Sequence, residues 1–139
     1  MKTYYKIVAK TADELRSCSI SARWCGDYDI KYVLGKPVQG FNDTPLFVFD
    51  CLSSAEYFVK GGAGLSTPAK KYNSFTTLHI YECHVTNPRR IEEICETLEG
   101  CILSEFWKRR IKGACFPYSV SASPSGTVIC DTVTLLKEV

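Results

Sequence analysis

The chain has 139 residues, 45% hydrophobic and 23% charged, with a formal net charge of +2. Such a composition can bury a core and is too apolar for a disordered segment. A charge this close to neutrality excludes a general electrostatic grip on DNA or on an anionic membrane, so any anion site has to be local.

Residues 3–10, TYYKIVAK, alternate Tyr5, Ile7 and Ala9 against Tyr4, Lys6 and Val8, the period of a strand. A second extended segment is expected over 15–25, and a third over 28–40 that ends in a Gly- and Pro-rich turn. PLFVFDC, residues 45–51, is apolar nearly throughout and suits a central strand covered on both faces. LSSAEYFVKGG, residues 52–62, reads as a helix. Ser53 and Glu56 have capping-box spacing, Leu52 and Tyr57 suit a hydrophobic staple, and Gly61 is a stop. Residues 61–74 form a polar loop without phosphate-loop spacing, and FTTLHIYECHV, residues 75–85, is a strand.

NPRRIEEICETLEG, residues 87–100, carries the signals of another helix. Asn87 stands at the cap, Pro88 at the first helical position and Gly100 past the end, with Ile91, Ile94, Cys95 and Leu98 as one apolar stripe. Residues 104–113, SEFWKRRIKG, suggest a further helix, with Phe106 and Ile111 joining Ile102 in its core stripe. Residues 115–126 read as loop and TVICDTVTLLKEV, residues 127–139, as one long final strand. The expected fold is therefore α+β. A single domain over 1–139 has an antiparallel or mixed sheet with two to three helices packed on it.

The N-terminal residues carry no apolar leader and no later run approaches a membrane span, so the expectation is a cytoplasmic protein. Its eight cysteines show no C-x-x-C spacing, and several fall in apolar strands or stripes, which points to reduced, buried thiols. Cys83 and His84 are strand neighbours that point to opposite faces, so no metal site is expected.

No nucleophile elbow and no H-E-x-x-H is present. Glu82 and Asp131 interrupt apolar strands and are the best acid–base candidates, although a solvent-facing or arginine-paired carboxylate is the commoner reason for such an interruption. The basic residues are clustered, Arg89 and Arg90 at the start of the expected helix and Lys108, Arg109, Arg110 and Lys112 further on. A helix start carries about half a positive charge, so Arg89 and Arg90 have the wrong sign there unless an anion joins them. Guanidinium groups hold phosphate in bidentate fashion, and aromatic faces such as Phe75, Trp107, Phe116 and Tyr118 stack on bases. A nucleotide with a pyrophosphate satisfies both features.

Four segments extend this reading. YYKIVAKTADELRS, TPLFVFDCLSSAEYFV, IYECHVTNPRRI and GTVICDTVTLLKEV, taken in order, resemble a small phage family, the first class of Thoeris anti-defence proteins. The resemblance implies a signal sponge. Such proteins bind cyclic ADP-ribose isomers (glycocyclic ADP-ribose) made by TIR-domain proteins, and hold them without cleavage and without a cofactor. It implies a homodimer, in some members a hexamer, acting in the cytoplasm of an infected bacterial host. It assigns Asn87, Arg109 and Arg110 to the signal, with Phe75 as the stacking aromatic. Some members bind cyclic trinucleotides of the CBASS defence system at a separate site, for which Arg16 and Arg23 are the local candidates. The alternatives are an ADP-ribose-processing enzyme using Glu82 or Asp131, and a protein-interaction module built on the basic helix.

Overall fold

The computed structural model describes residues 1–10, 14–17, 30–41, 44–60, 77–95, 107 and 120–139, with the backbone alone at 94, 95, 120 and 121. The strands are β1 (Tyr4–Lys10), β2 (Leu15–Ser17), β3 (Lys31–Tyr32), β4 (Pro37–Gln39) and β5 (Leu46–Phe49). After helix α1 (Leu52–Val59) come β6 (Thr77–Thr86), β7 (Arg89–Arg90), β8 (Glu93–Cys95), β9 (Val120–Ala122), β10 (Thr127–Cys130) and β11 (Thr132–Glu138). All described pairings are antiparallel. The main sheet runs β4-β11-β6-β1-β5-β10-β7, β2 and β3 branch from β1, and β8 and β9 form their own ladder.

Chain order shapes this sheet. β6, β7 and β8 follow one another, and β9, β10 and β11 run back against them, with Glu93 opposite Ala122, Arg89 opposite Ile129 and Thr86 opposite Thr132. β10 also pairs with β5, β5 with β1, and β1 with β6. The ladder path from β6 through β1 and β5 thus ends on β10, which continues as β11 back onto β6. The sheet curls around one apolar interior, as twisted antiparallel strands do when they close.

Alternation along each strand fills that interior. Val8, Val48, Cys83, Cys130, Val133 and Leu135 are almost fully buried together. Tyr5 and Ile7 of β1 face the other way, where Ala55, Phe58 and Val59 of α1 cover them beside Phe49. Both faces of β1 and β5 are therefore covered, as the apolar run of β5 predicts and the alternation of β1 does not. Lys6 sits among the interior residues. It is 7% exposed, and its Nζ donates to the Phe47 carbonyl at 2.7 Å and lies 5.4 Å from the Tyr32 ring centroid.

The α+β expectation holds in coarse form, as an antiparallel sheet with a helix on it, but its helices need correction. α1 begins two residues earlier than the capping box requires, at Leu52 rather than Ser54. Its cap is Cys51 in extended conformation, no side chain caps it, and Tyr57 is exposed. The helix expected from Asn87 is absent over the described residues 87–95, which form β7 and β8. Two facts decide this. Asn87 adopts φ 50, whereas a helix cap is extended. The free edge of β10 also offers Arg89 and Arg90 a ladder, so tertiary pairing overrides local helical spacing. Ile91 is then buried against Trp107 and Ile129 rather than within a helix stripe. The helix expected over 104–113 lies outside the described residues apart from Trp107, which is helical. The expected final strand is two strands, broken at Asp131.

Candidate functional site

The break at Asp131 faces the break at Asn87 and Pro88, so the two long runs bend together. Register is the same on both sides of this corner, with Thr86 opposite Thr132 and Arg89 opposite Ile129. The Asp131 amide donates to the Thr86 carbonyl at 2.9 Å, and the hydroxyls of Thr86 and Thr132 lie 2.7 Å apart. Asn87 takes up the turn in the left-handed region, which Asn tolerates better than most residues.

One carboxylate ties the corner together. Asn87 Nδ2 donates to Asp131 Oδ2 at 3.2 Å, and Arg89 Nη1 donates to Asp131 Oδ1 at 3.0 Å. Arg89 Nη1 also reaches the Asn87 carbonyl at 2.6 Å. The Asn87 amide first, and the Arg89 guanidinium after it, hold the Asp131 carboxyl below the ordinary aspartate range. With its pKa lowered, Asp131 is ionised at neutral pH and has no proton to donate as a general acid. Glu82 pairs with Lys137 at 3.6 Å.

The second arginine is matched as well. Arg90 donates to Asp50, whose side chain is only 14% exposed at the end of β5. Asp50 and Ser54 lie so close to Gly126 that a Cβ there would come within 2.6 Å of Ser54 Oγ and 2.9 Å of Asp50 Oδ1. The question of the two arginines is therefore resolved by strand pairing. They lie on a short edge strand, not at a helix start, and protein carboxylates balance them. Without a helix start at Asn87, no helix dipole or first-turn amides are present there to receive a phosphate.

The other predicted residues distribute as follows. Trp107 is a packing residue, 8% exposed, with its ring 5.8 Å from that of Phe47. It offers no open face for stacking. Arg16 donates to Glu14 at 2.6 Å on β2, and Lys31 lies 3.3 Å from the same carboxylate. Phe75, Arg23, Arg109 and Arg110 lie outside the described residues. The structure thus brings Asn87 and Arg89 to one corner, turns Arg90 to Asp50 beside Gly126, packs Trp107 on Ile91 and Ile129, and sets Arg16 on β2 with Glu14.

Sequence reasoning passed over two acidic partners. Asp50 closes an apolar strand and Glu138 lies near the end of another, and a charge at such a position is the signal that marks them. Glu138 Oε1 gathers His79 Nδ1 at 3.2 Å, Tyr81 OH at 3.0 Å and Lys10 Nζ at 3.3 Å, tying β11, β6 and β1 together. Those hydrogen bonds, His79 foremost, hold its carboxyl below the ordinary glutamate range.

The described thiols are free. Burial pushes Cys83 up to about 12 and Cys130 up to about 11, which fits the expected inert core cysteines. Cys51 differs, since contacts with the Ser53 and Ser54 hydroxyls lower its pKa. Among the described residues no three His, Cys, Asp or Glu side chains form a metal site, and no helix is long and apolar enough to cross a membrane. Set against protein-family models, curated proteins and solved structures, the chain matches none of them.

Proposed function

We propose that the chain is a non-enzymatic sponge that binds cyclic ADP-ribose-type signals and keeps them uncleaved. One observation carries the reading. The four segments similar to the phage sponge family coincide with β1–β2, β5–α1, β6–β7 and β10–β11, the strands of the curled sheet and both sides of its corner. Sequestration asks for preorganised donors rather than for a transition state. The exposed corner, with Arg89 fixed beside Asn87 by Asp131, is a group of that kind.

In this reading Arg109 and Arg110 hold the phosphates, Phe75 stacks on the base and Asn87 contributes from the corner. Arg89 and Arg90, already balanced by Asp131 and Asp50, support the rim. Trp107 packs beneath. A homodimer or hexamer, action in the cytoplasm of an infected bacterium, and a separate cyclic-trinucleotide site at Arg16 and Arg23 belong to the same proposal.

Calorimetry with purified cyclic ADP-ribose isomers tests it. Arg109→Ala and Arg110→Ala are each expected to weaken binding by about 1.5–3 kcal/mol, the worth of a charge-assisted phosphate contact. Unchanged affinity in both variants removes those residues from the site, and the absence of binding by the unmodified protein removes the reading.

A further inference from the structure

The corner contains a carboxylate where a site built for phosphate alone would not have one. Asp131 stands beside Arg89 and Asn87, 53% exposed, on the surface that the nucleotide reading assigns to ligand. A phosphate brought to Arg89 would meet this carboxylate as a like charge. A hydroxyl would meet it as a donor meets an acceptor.

The geometry leaves room for such a donor. An ionised carboxylate offers about four lone-pair directions and donates nothing. Asn87 Nδ2 occupies one direction on Oδ2 and Arg89 Nη1 one on Oδ1, and half of the side chain remains open to solvent. Both oxygens are oriented by fixed partners, and the backbone beneath them is held by the Asp131 amide on Thr86 and by the paired hydroxyls of Thr86 and Thr132. Asn87 is the one non-glycine residue with positive φ among the described residues, and such conformations collect at functional positions. A vicinal diol presents two adjacent O–H donors to two carboxylate oxygens, the way acidic residues receive ribose at other nucleotide sites.

We propose that Asp131 is the sugar-recognising group of the site and accepts hydrogen bonds from a vicinal ribose diol, with Asn87 and Arg89 as its positioning residues. The proposal rests on the nucleotide-binding reading above. It specifies a ligand class, ribose-bearing nucleotides, and sets these apart from inorganic polyphosphates.

Two probes separate the cases, a cyclic ADP-ribose isomer that carries a vicinal diol and inorganic pyrophosphate, which carries none. Affinities are measured for the unmodified protein, Asp131→Ala and Asp131→Asn, with circular dichroism as the check on folding. Asp131→Asn preserves shape and one acceptor, and keeps the test valid if the alanine variant unfolds. The expected result is a loss of at least about tenfold for the nucleotide in either variant. Pyrophosphate binding is expected to stay level or tighten, because a negative charge has gone. Equal nucleotide affinity in all three proteins overturns the role of Asp131 and leaves the sponge reading standing. Parallel weakening of both probes also overturns it, since that marks general damage to the corner. No nucleotide binding by the unmodified protein overturns both.

Discussion

Replacing Asn87 in three ways separates a strand corner from a helix cap. At φ 50 a residue with a Cβ is strained by about 1–2 kcal/mol in the left-handed region, glycine is not, and Asn lies between them. Asn87→Ala therefore meets that strain and also loses the amide bond to Asp131. Asn87→Gly loses the same bond but relaxes the backbone. The alanine variant should be less stable than the glycine variant by about 1–2 kcal/mol, or about 3–6 °C in melting temperature for a chain of this size. Asn87→Asp sets a second carboxylate where the amide now lies 3.2 Å from Asp131, so stability should fall and partly recover in high salt. A helix cap predicts another order, with Asp harmless, Gly down by a few tenths and Ala down by about 1 kcal/mol. Urea denaturation of the three variants decides. An aspartate variant as stable as the unmodified protein in low salt would refute the corner.

Further consequences follow from the same contacts. Gly126→Ala adds a Cβ at φ 80 within 3 Å of Ser54 and Asp50, and should cost about 1–3 kcal/mol in denaturant unfolding, whereas a neutral result would place the β9–β10 turn elsewhere. Among the described thiols, Cys51 should react first with a disulfide reagent at pH 8, while Cys83 and Cys130 stay protected until the protein unfolds, and modification of Cys83 in the native state would contradict the interior. Glu138 and Asp131 have lowered pKa values, so their partners stabilise the fold above the ordinary carboxylate range and that contribution is lost as the pH falls through their folded values. Acid unfolding below about pH 4 should accordingly be shallower in Glu138→Gln, and an unchanged acid limb would show that its contacts to His79, Tyr81 and Lys10 are too screened to count.

What could be read from the residues depended on how many forces agreed. β1 is legible from its strand period and β5 from an apolar run that suits coverage on both faces, whereas the covered second face of β1 is set by α1 and is not visible in its alternation; the buried Cys83 and Cys130 follow from the apolar runs around them. Residues 87–95 were misread because their helical spacing is real but local. A neighbouring strand edge and a left-handed Asn87 outweigh it, and neither is visible within the segment. The capping box at Ser53 does not form either: Cys51 takes the extended cap position, next to an Asp50 amide that donates to the Gly126 carbonyl, a partner far away in sequence. Of the site, Asn87, Arg89 and Asp131 were each singled out by residue type, but for separate roles. Only the register that lays β10 and β11 along β6 and β7 makes them neighbours.

The sponge reading is tested most directly by what the protein returns after binding. The protein is incubated with the cyclic ADP-ribose product of a TIR enzyme, freed of unbound nucleotide and denatured by heat, and the released small molecules are weighed by mass spectrometry. The account predicts intact cyclic nucleotide, in amounts that scale with the protein. Hydrolysed or otherwise altered nucleotide would make the chain an enzyme, and an empty eluate would contradict the sponge and leave Arg89 and Arg90 as structural ion pairs with Asp131 and Asp50.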